Sequence, residues 1–529
     1  MIPEGVCPLT VADALQRAAA IAPELEAVVT PAGRSTYGEL AEQVRTIRGA
    51  LTAAGVRRGD HVAICLGNGP QWVALFLAVG SVGAVAVPVN TRFRAGELAH
   101  VLRQSRAGLL FIADRLLRID FVEMLRTVCP AVDRTLPDPA LPDLRSVVVV
   151  GSDVPAGARA WRDFMAAAAD GSSAPSCTPD DTLLIQYTSG TTSAPKGVLL
   201  RHRNMCANGF FSGSRMGLRA GDRLYSARPF FHVAGTTLSI LSCVQHVATL
   251  VTTERFQAGE ALQFMEQERC THFSGNDTIG LMLLSHPDRP RRRLALRGGW
   301  LAASPTIVRR TIEELGAREC VVGYGLSEAS PNVAQSCWWE PEEVRISGRM
   351  LPQPGVEVRI RGATAPGQTG EILVRGWSVM QGYHDMPAET AAALSDDGWL
   401  STGDLGRLGE DGRLEFVGRT KELIRVGGEN VAPAEVEDVL HQHAEVRQAV
   451  VVGVPDERLI EVPFAFVILN EQGVVEPDEL MSWAKERMAG FKVPRYLHVL
   501  DSFEGFGMTA SSKVQKRHLA DYARKLLEA

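Results

Sequence analysis

The chain has 529 residues, which exceeds the size of one ordinary domain and predicts several hydrophobic cores. Its composition of 45% apolar and 22% charged residues excludes a disordered chain. A formal net charge of -6 provides no broad attraction for nucleic acid or for an anionic membrane surface. We therefore expect small-molecule partners and no nucleic acid.

The cysteines and the first residues bear on the compartment. Nine cysteines are scattered singly from Cys7 to Cys337, without a C-x-x-C pair or a zinc-binding spacing. Residues 1–9 lack the basic and apolar regions of a secretory signal. We therefore expect a reduced, cytoplasmic protein.

The segment Trp72–Val89 carries no charge over nearly the length that crosses a bilayer. It also contains Gly80, Gly83 and Pro88, and its second half is rich in valine and alanine, as in a buried parallel strand. The pattern predicts a core helix followed by a core strand and no membrane span.

Short apolar runs alternate with longer amphipathic segments between Ser35 and Val251. This alternation predicts an α/β fold with largely parallel sheets. The predicted strands are His61–Leu66, Gly108–Ala113, Ser146–Val150, Thr182–Tyr187 and Ala248–Thr252.

After Gly348 the pattern changes to short β-branched segments separated by glycines, which predicts a small antiparallel, barrel-like region. Beyond Gly418, two amphipathic helices alternate with apolar strands, a pattern typical of a separate α+β domain. We predict a large domain at residues 1–418 and a small, mobile domain at 419–529.

A hydroxyl-rich loop follows the predicted strand that ends at Tyr187. It offers backbone N–H groups, hydroxyl groups and one lysine to a polyphosphate, but it does not match the P-loop pattern G-x-x-x-x-G-K-[ST]. The candidate phosphate ligands are Thr188, Ser189, Gly190, Thr191, Thr192 and Lys196.

Further motifs follow in order along the chain. Together with the hydroxyl-rich loop they resemble the adenylate-forming superfamily of acyl-CoA synthetases, peptide-synthetase adenylation domains and beetle luciferases, and within it the acyl-CoA synthetase branch. The resemblance covers essentially the whole chain. The segments that carry it are Pro229–Gly235, Tyr324–Glu328, Gly398–Asp404, Gly418–Asn430 and Met508–Lys516.

The resemblance implies a role for each residue of the Tyr-Gly-Leu-Ser-Glu motif that faces the nucleotide. Tyr324, followed by Gly325, would stack on adenine, and Ser327 would bind the α-phosphate in place of the commoner threonine. Glu328 would hold Mg²⁺. Lys196 would lie beside the leaving pyrophosphate.

The later motifs imply a ribose site and a moving small domain. Asp404 and Arg419 would bind the ribose hydroxyls, and Lys421 matches the hinge about which the small domain rotates. Gly427 and Gly428 would then line a tunnel for coenzyme A.

Lys513 matches the catalytic lysine in register, although Gly507 and Ser512 depart from the residues that relatives usually have in this loop.

The segment Pro229–Gly235 resembles the wall of an acyl pocket. His232 either closes this pocket and admits the carboxylate or is a core histidine with both nitrogens bonded. No acidic residue lies in the segment, which argues against an α-amino acid substrate, while Asp277 leaves that inference open. Neighbouring candidates are His272–Asn276 and Trp300–Ser304.

The sequence therefore predicts an ATP-dependent acyl-CoA synthetase that uses ATP, Mg²⁺ and coenzyme A on a medium-sized apolar or cyclic carboxylic acid. The leading alternative is an adenylation-only ligase that passes the acyl group to a carrier protein or a separate partner. A luciferase-type oxygenase and an inactive nucleotide-binding scaffold are further alternatives. A homodimer is common among relatives.

Overall fold

A computed structural model describes residues 2, 5–168, 176–188, 195–470, 473, 475–507 and 514–528. Its helices are α1 Val11–Ile21, α2 Tyr37–Ala53, α3 Pro70–Ser81, α4 Ala95–Gln104, α5 Phe121–Val128, α6 Trp161–Ala166, α7 His202–Met216, α8 Ser242–His246, α9 Ala258–Gln267, α10 Asp277–Leu284, α11 Pro305–Leu315, α12 Glu342–Ile346, α13 Pro387–Ala393, α14 Pro433–His441, α15 Pro477–Lys485 and α16 Lys516–Glu528.

The strands up to the hydroxyl-rich loop are β1 Glu26–Thr30, β2 Gly33–Thr36, β3 His61–Cys65, β4 Val85–Pro88, β5 Leu109–Ala113, β6 Arg115–Leu116, β7 Ile119–Asp120, β8 Ser146–Val150, β9 Arg159–Ala160 and β10 Thr182–Tyr187. Those after it are β11 Gly197–Arg201, β12 Arg223–Ser226, β13 Thr249–Val251, β14 His272–Asn276, β15 Gly298–Ala302, β16 Glu319–Gly325, β17 Asn332–Gln335, β18 Arg349–Pro352, β19 Val356–Ile360, β20 Gly370–Gly376, β21 Gly382–Tyr383, β22 Leu400–Leu408, β23 Leu414–Arg419, β24 Ile424–Val426, β25 Glu429–Val431, β26 Val446–Asp456, β27 Ile460–Leu469 and β28 Tyr496–Val499.

Local sequence signals account for several of these elements. Thr36 and Glu39 form a capping box at the start of α2, because the threonine hydroxyl accepts from Glu39 N at 3.2 Å and the glutamate carboxylate accepts from Thr36 N at 2.8 Å. The charge-free segment is a buried helix, α3, followed by the buried strand β4, as predicted. In the described part of the chain, no helix combines the length and apolarity needed to cross a membrane.

An eight-stranded sheet carries the strand that leads into the hydroxyl-rich loop. Its order is β21-β11-β10-β4-β3-β5-β8-β9. The pairs from β10 to β9 are parallel, whereas β10–β11 and β11–β21 are antiparallel. The loop between β10 and β11 therefore lies at the carboxyl end of a parallel strand, where α/β sheets usually bind ligands.

A thirteen-stranded sheet supplies the other half of the large domain, in the order β19-β20-β22-β23-β18-β17-β16-β15-β14-β12-β13-β1-β2. Parallel pairing runs from β1 to β16, and antiparallel pairing continues from β16 to β19. The predicted antiparallel region after Gly348 is confirmed, and among the described residues its strands form no closed barrel. They continue the parallel sheet because β18 pairs with β17 on one side and β23 on the other.

The small domain has a five-stranded sheet, β25-β24-β27-β26 with β28 beside β27, and a hydrophobic core on each face. Alternate residues of β26 enter opposite cores: Ala449 and Val451 pack toward α14 and α15, and Val450 and Val452 pack toward α16. The domain boundary at 418/419 stays a prediction.

Candidate active site

Three predicted nucleotide ligands meet where β16 and β23 end beside the middle of β22. The Tyr324 hydroxyl donates to Asp404 Oδ2 at 2.8 Å, and Arg419 Nε lies 3.6 Å from Asp404 Oδ1. Asp404 and Arg419 are register partners of the β22–β23 pair, so the ladder itself places the cation beside the carboxylate. These side chains come together from segments far apart in the sequence.

Burial shifts the pKa of the Asp404 carboxyl. Burial raises the pKa of its carboxyl above the ordinary value, while Arg419 and the Tyr324 hydroxyl oppose this rise and Glu328 adds to it. The pKa of Tyr324 is also raised well above its ordinary value, first by burial and then by Asp404. Asp404 is therefore a buried acceptor with little competition from water, as binding of two ribose hydroxyls requires.

Phe416 belongs to this site although the sequence analysis did not select it. Its ring stacks on Tyr324 with centroids 5.3 Å apart and an interplanar angle of 23°. Phe416 is 36% exposed on β23. Its position two residues before Gly418 in a predicted strand is the one sequence signal that could have identified it.

A second group of side chains in the candidate site joins Lys196, Tyr383 and Glu328. The Lys196 ammonium lies 5.0 Å from the centre of the Tyr383 ring, and the Tyr383 hydroxyl donates to Glu328 Oε1 at 2.9 Å. Burial raises the pKa of Tyr383, and Glu328 adds to the effect, so the phenol stays a donor at neutral pH. The sequence analysis also missed Tyr383, which lies on the two-residue strand β21.

Backbone pairing holds the base of the hydroxyl-rich loop next to this group. Thr188 N donates to Lys196 O at 3.0 Å, which continues the β10–β11 ladder by one step. The remaining loop candidates, Ser189, Gly190, Thr191 and Thr192, lie outside the described residues.

A tight turn positions the Ser327 and Glu328 side chains. A Cβ atom on Gly325 would lie 1.9 Å from Pro331 O, so this position requires glycine. Ser327 and Glu328 are in a short 3₁₀ turn at residues 327–329, and Met380 N donates to Glu328 O at 2.9 Å. Glu328 therefore links the two groups of side chains, because it accepts from Tyr383 and its charge helps to raise the pKa of Asp404.

Glu328 has the chemistry of a magnesium ligand. One of its oxygens accepts from Tyr383, and among the described residues it forms no ion pair, which leaves the second oxygen for a cation. No group of three His, Cys, Asp or Glu side chains suitable for a metal occurs in the described ranges. A single carboxylate suits Mg²⁺ that is otherwise bound by phosphate oxygens and water.

The acyl-pocket segment is fixed to the strand that precedes the hydroxyl-rich loop. Gln186 on β10 donates from Nε2 to Phe231 O at 2.9 Å. His232 Nδ1 accepts from Ala234 N at 3.2 Å, and the histidine is partly exposed. Asp277 accepts from Ser304 N at 2.9 Å and so helps to anchor the start of α11. This contact gives Asp277 a structural role.

The predicted residues of the small domain that the structure describes lie in the turns after β23 and β24. Gly427 and Gly428 are exposed at the β24–β25 turn, and Gly427 N donates to Leu459 O at 2.8 Å within the same domain. Lys421 lies in a short 3₁₀ turn directly after β23. Lys513 lies outside the described residues.

Comparisons with known proteins agree with this geometry. The family model of the AMP-binding enzyme matches residues 15–384, and that of the AMP-binding enzyme C-terminal domain matches residues 435–513. The chain is 36% identical to a 3-[(3aS,4S,7aS)-7a-methyl-1,5-dioxo-octahydro-1H-inden-4-yl]propanoyl:CoA ligase of Rhodococcus jostii (strain RHA1), over 97% of this chain and 99% of that protein. It is 31% identical to the mitochondrial medium-chain acyl-CoA ligase of Mus musculus, over 98% and 88% of the two chains.

Solved structures share the fold. The amide bond synthetase McbA from Marinactinospora thermotolerans superposes with a TM-score of 0.79 at 27% identity and covers 97% of this chain and 99% of its own. The anthranilate CoA ligase AuaEII, at 24% identity, shares the fold with a TM-score of 0.88 over 99% of both chains. The chain belongs to the AMP-binding enzyme family, on its acyl-CoA synthetase branch, and is an AMP-forming acid–thiol ligase.

Proposed function

We propose that this enzyme activates a medium-sized apolar or cyclic carboxylic acid as its acyl-adenylate and then forms the coenzyme A thioester. The supporting observation is that Tyr324 and Asp404, the side chains proposed for the nucleoside, are in direct contact, and that Glu328 and Lys196, proposed for the phosphates, both contact Tyr383.

In the first half-reaction, a carboxylate oxygen attacks the α-phosphorus of ATP. A new P–O bond forms, the bond from the α-phosphorus to the bridging oxygen breaks, and pyrophosphate leaves with the electron pair. Two anions must approach each other, so neutralisation of charge dominates the barrier. We assign Lys196 to the leaving pyrophosphate, Ser327 to the α-phosphate and Lys513 to the reacting groups.

The metal proposal rests on the free oxygen of Glu328. When bound there, Mg²⁺ would supply positive charge to the phosphate oxygens. The protein's own part is to orient the carboxylate, which Tyr383 does through its hydroxyl.

In the second half-reaction, the coenzyme A sulfur attacks the acyl carbon, the bond from that carbon to the phosphate oxygen breaks, and AMP leaves. We propose that the small domain rotates about Lys421 between the two steps, which removes Lys513 and brings Gly427 and Gly428 to the pocket. The exposure of both glycines fits an arrangement that precedes this rotation.

The acid class follows from the residues around the proposed pocket. Phe231 and Trp300 are both buried large aromatic side chains, suited to an apolar acyl group. The names of two relatives, a medium-chain acyl-CoA ligase and a CoA ligase for a bicyclic propanoate, support the same size class.

An adenylation-only ligase that uses another acceptor is the competing function, and the similarity to an amide bond synthetase keeps it open. Two measurements separate them: acid-dependent ATP–pyrophosphate exchange and coenzyme A-dependent AMP release. Our proposal requires both. Exchange without any stimulation of AMP release by coenzyme A would favour the alternative and refute thioester formation.

The Lys513→Ala variant tests the division of labour between the half-reactions. Pyrophosphate exchange should collapse, while thioester formation from supplied acyl-adenylate should persist. Lys525→Ala is the matched control, because Lys525 is exposed on α16 and has no assigned role. Full-rate exchange by Lys513→Ala would show that the lysine assignment is wrong.

A further inference from the structure

Arg228 lies directly between β12 and the acyl-pocket segment. Its Nε donates to Ser274 Oγ at 2.8 Å, its Nη2 donates to Gly275 O, and its guanidinium lies over the Trp300 ring, 4.7 Å from the centroid. Ser274 and Gly275 are on β14 and Trp300 is on β15. The arginine therefore bridges three neighbouring parallel strands near their carboxyl ends.

This cation has no acidic partner. Its side-chain contacts are a hydroxyl, a carbonyl and an aromatic ring, and among the described residues it forms no ion pair. Burial lowers the pKa of Arg228 to about 10, with no contribution from a charged neighbour, which leaves it cationic at neutral pH. Arg228 is partly exposed by surface area, and the desolvation cost of such a cation is offset when an anion accompanies it.

The opposite ends of the same strands are different. Arg223, at the start of β12, pairs with Glu26 and Glu268 at 2.6 and 2.5 Å. Arg297, just before β15, pairs with Asp222 and Glu319 at 2.8 and 2.7 Å. The fold thus supplies carboxylates to the arginines at the amino ends of these strands. Among the described residues, no carboxylate forms an ion pair with Arg228 at the carboxyl end.

Trp300, beside Arg228, provides a donor without a hydrogen-bond partner among the described residues. Its side chain is 5% exposed, and its Nε1 has no hydrogen-bond partner within the described structure. The indole occupies space that a side chain at position 323 would need, because a Cβ atom on Gly323 would lie 2.4 Å from Trp300 Nε1. Gly323 immediately precedes Tyr324, so the indole lies between Tyr324 and Arg228.

We propose that Arg228 and Trp300 bind a second carboxylate at the far end of the acyl group, which makes the preferred substrate a dicarboxylic acid that is activated at one end. This inference rests on the proposed function, since it assigns the acyl group to the pocket beside Phe231 and His232. The distal carboxylate accepts from the guanidinium and the indole N–H, and the apolar part of the acid contacts Phe231.

The test compares three acids of equal chain length: octanoate, 7-oxooctanoate and octanedioate. AMP formation in the presence of ATP and coenzyme A gives kcat/KM for each acid. The intact enzyme should favour octanedioate. Arg228→Gln should lower kcat/KM for octanedioate by about 30-fold or more, because the buried charge pair is lost, and should leave octanoate unchanged or improved.

Two further variants guard against a general folding defect. Trp300→Phe keeps an aromatic ring beneath the arginine and removes only the N–H, so it should slow octanedioate several-fold more than it slows octanoate. Arg162→Gln is the matched control, since Arg162 is exposed on α6. ATP binding by each variant should equal that of the parent enzyme.

The outcomes separate the two proposals. Activation of octanoate without a preference for octanedioate, equal use of 7-oxooctanoate and octanedioate, or an equal slowing of all three acids by Arg228→Gln would overturn the second-carboxylate site alone. Failure of every acid to release AMP, in protein that binds ATP, would refute the proposed function and this inference with it.

Discussion

Replacement of Asp404 by asparagine keeps the size of the side chain and removes its charge. In the proposed site the carboxylate accepts hydrogen bonds from both ribose hydroxyls. One charge-assisted bond is worth about 1.5–3 kcal/mol, so the loss of one such bond predicts an ATP dissociation constant about 10- to 150-fold higher.

The same substitution should not destabilise the fold. Burial raises the folded-state pKa of Asp404, so its effect on stability is most favourable below the unfolded-state pKa and is lost as pH rises through the folded-state pKa. At neutral pH the burial of the charged carboxylate therefore costs stability relative to the unfolded chain. Asparagine removes that penalty, and the contact to the 57%-exposed Arg419 side chain is worth at most about 1 kcal/mol.

The pH dependence has a defined sign. Ribose hydroxyls select the carboxylate over the carboxylic acid, so nucleotide affinity should fall as pH falls through the raised pKa of Asp404. Titration calorimetry across the acidic range, on the parent enzyme and on Asp404→Asn, isolates this effect from titration of the triphosphate. The control is Asp396→Asn, an exposed position.

A melting temperature that falls by many degrees together with unchanged ATP affinity would refute this reasoning, since Asp404 would then be a structural residue. If ATP affinity depended on pH in the same way in both proteins, Asp404 would not be the titrating group.

Two other substitutions test the phosphate side. Tyr383→Phe keeps the ring beside the lysine but leaves Glu328 without its donor, so the Mg²⁺ concentration for half-maximal pyrophosphate exchange should rise about tenfold; an unchanged Mg²⁺ requirement would contradict the positioning role. Gly325→Ala places a Cβ atom 1.9 Å from Pro331 O and should lower the free energy of unfolding by about 2 kcal/mol or more and abolish ATP binding. Gly96→Ala, where a Cβ atom meets nothing within 4 Å, should leave both unchanged in denaturant titrations and binding assays, and equal behaviour of the two alanine variants would contradict the steric argument.

Local patterns predicted several of the elements, and the resemblance of separate motifs to one family selected the candidate site residues. The charge-free Trp72–Val89 segment was predicted as helix and strand because glycines and a proline interrupt it, and the structure confirms this. Tyr324 and Asp404 were selected from separate motifs, and the structure places their side chains in direct contact. Each of these residues lies next to a turn whose composition is visible in the sequence.

Residues whose importance depends on distant pairing could not be predicted. Tyr383 reaches Glu328 only because β21 pairs with β11, and Phe416 reaches Tyr324 only across the antiparallel strands between β16 and β23. Arg228 has no acidic partner among the described residues, and only the three-dimensional arrangement shows this. For the same reason, periodicity predicted the antiparallel strands after Gly348 but not their place in the large sheet, which the pairing of β18 with β17 and β23 decides.

In the proposed first half-reaction, the enzyme joins a carboxylate oxygen of the acid to the α-phosphorus of ATP. The most direct measurement uses an acid labelled with ¹⁸O in both carboxyl oxygens, with mass spectrometry of the products after complete turnover with coenzyme A. We expect one ¹⁸O atom in AMP, because the bridging oxygen comes from the acid, and none in pyrophosphate. Label in inorganic phosphate, or unlabelled AMP, would show that the acid is not activated as an acyl-adenylate.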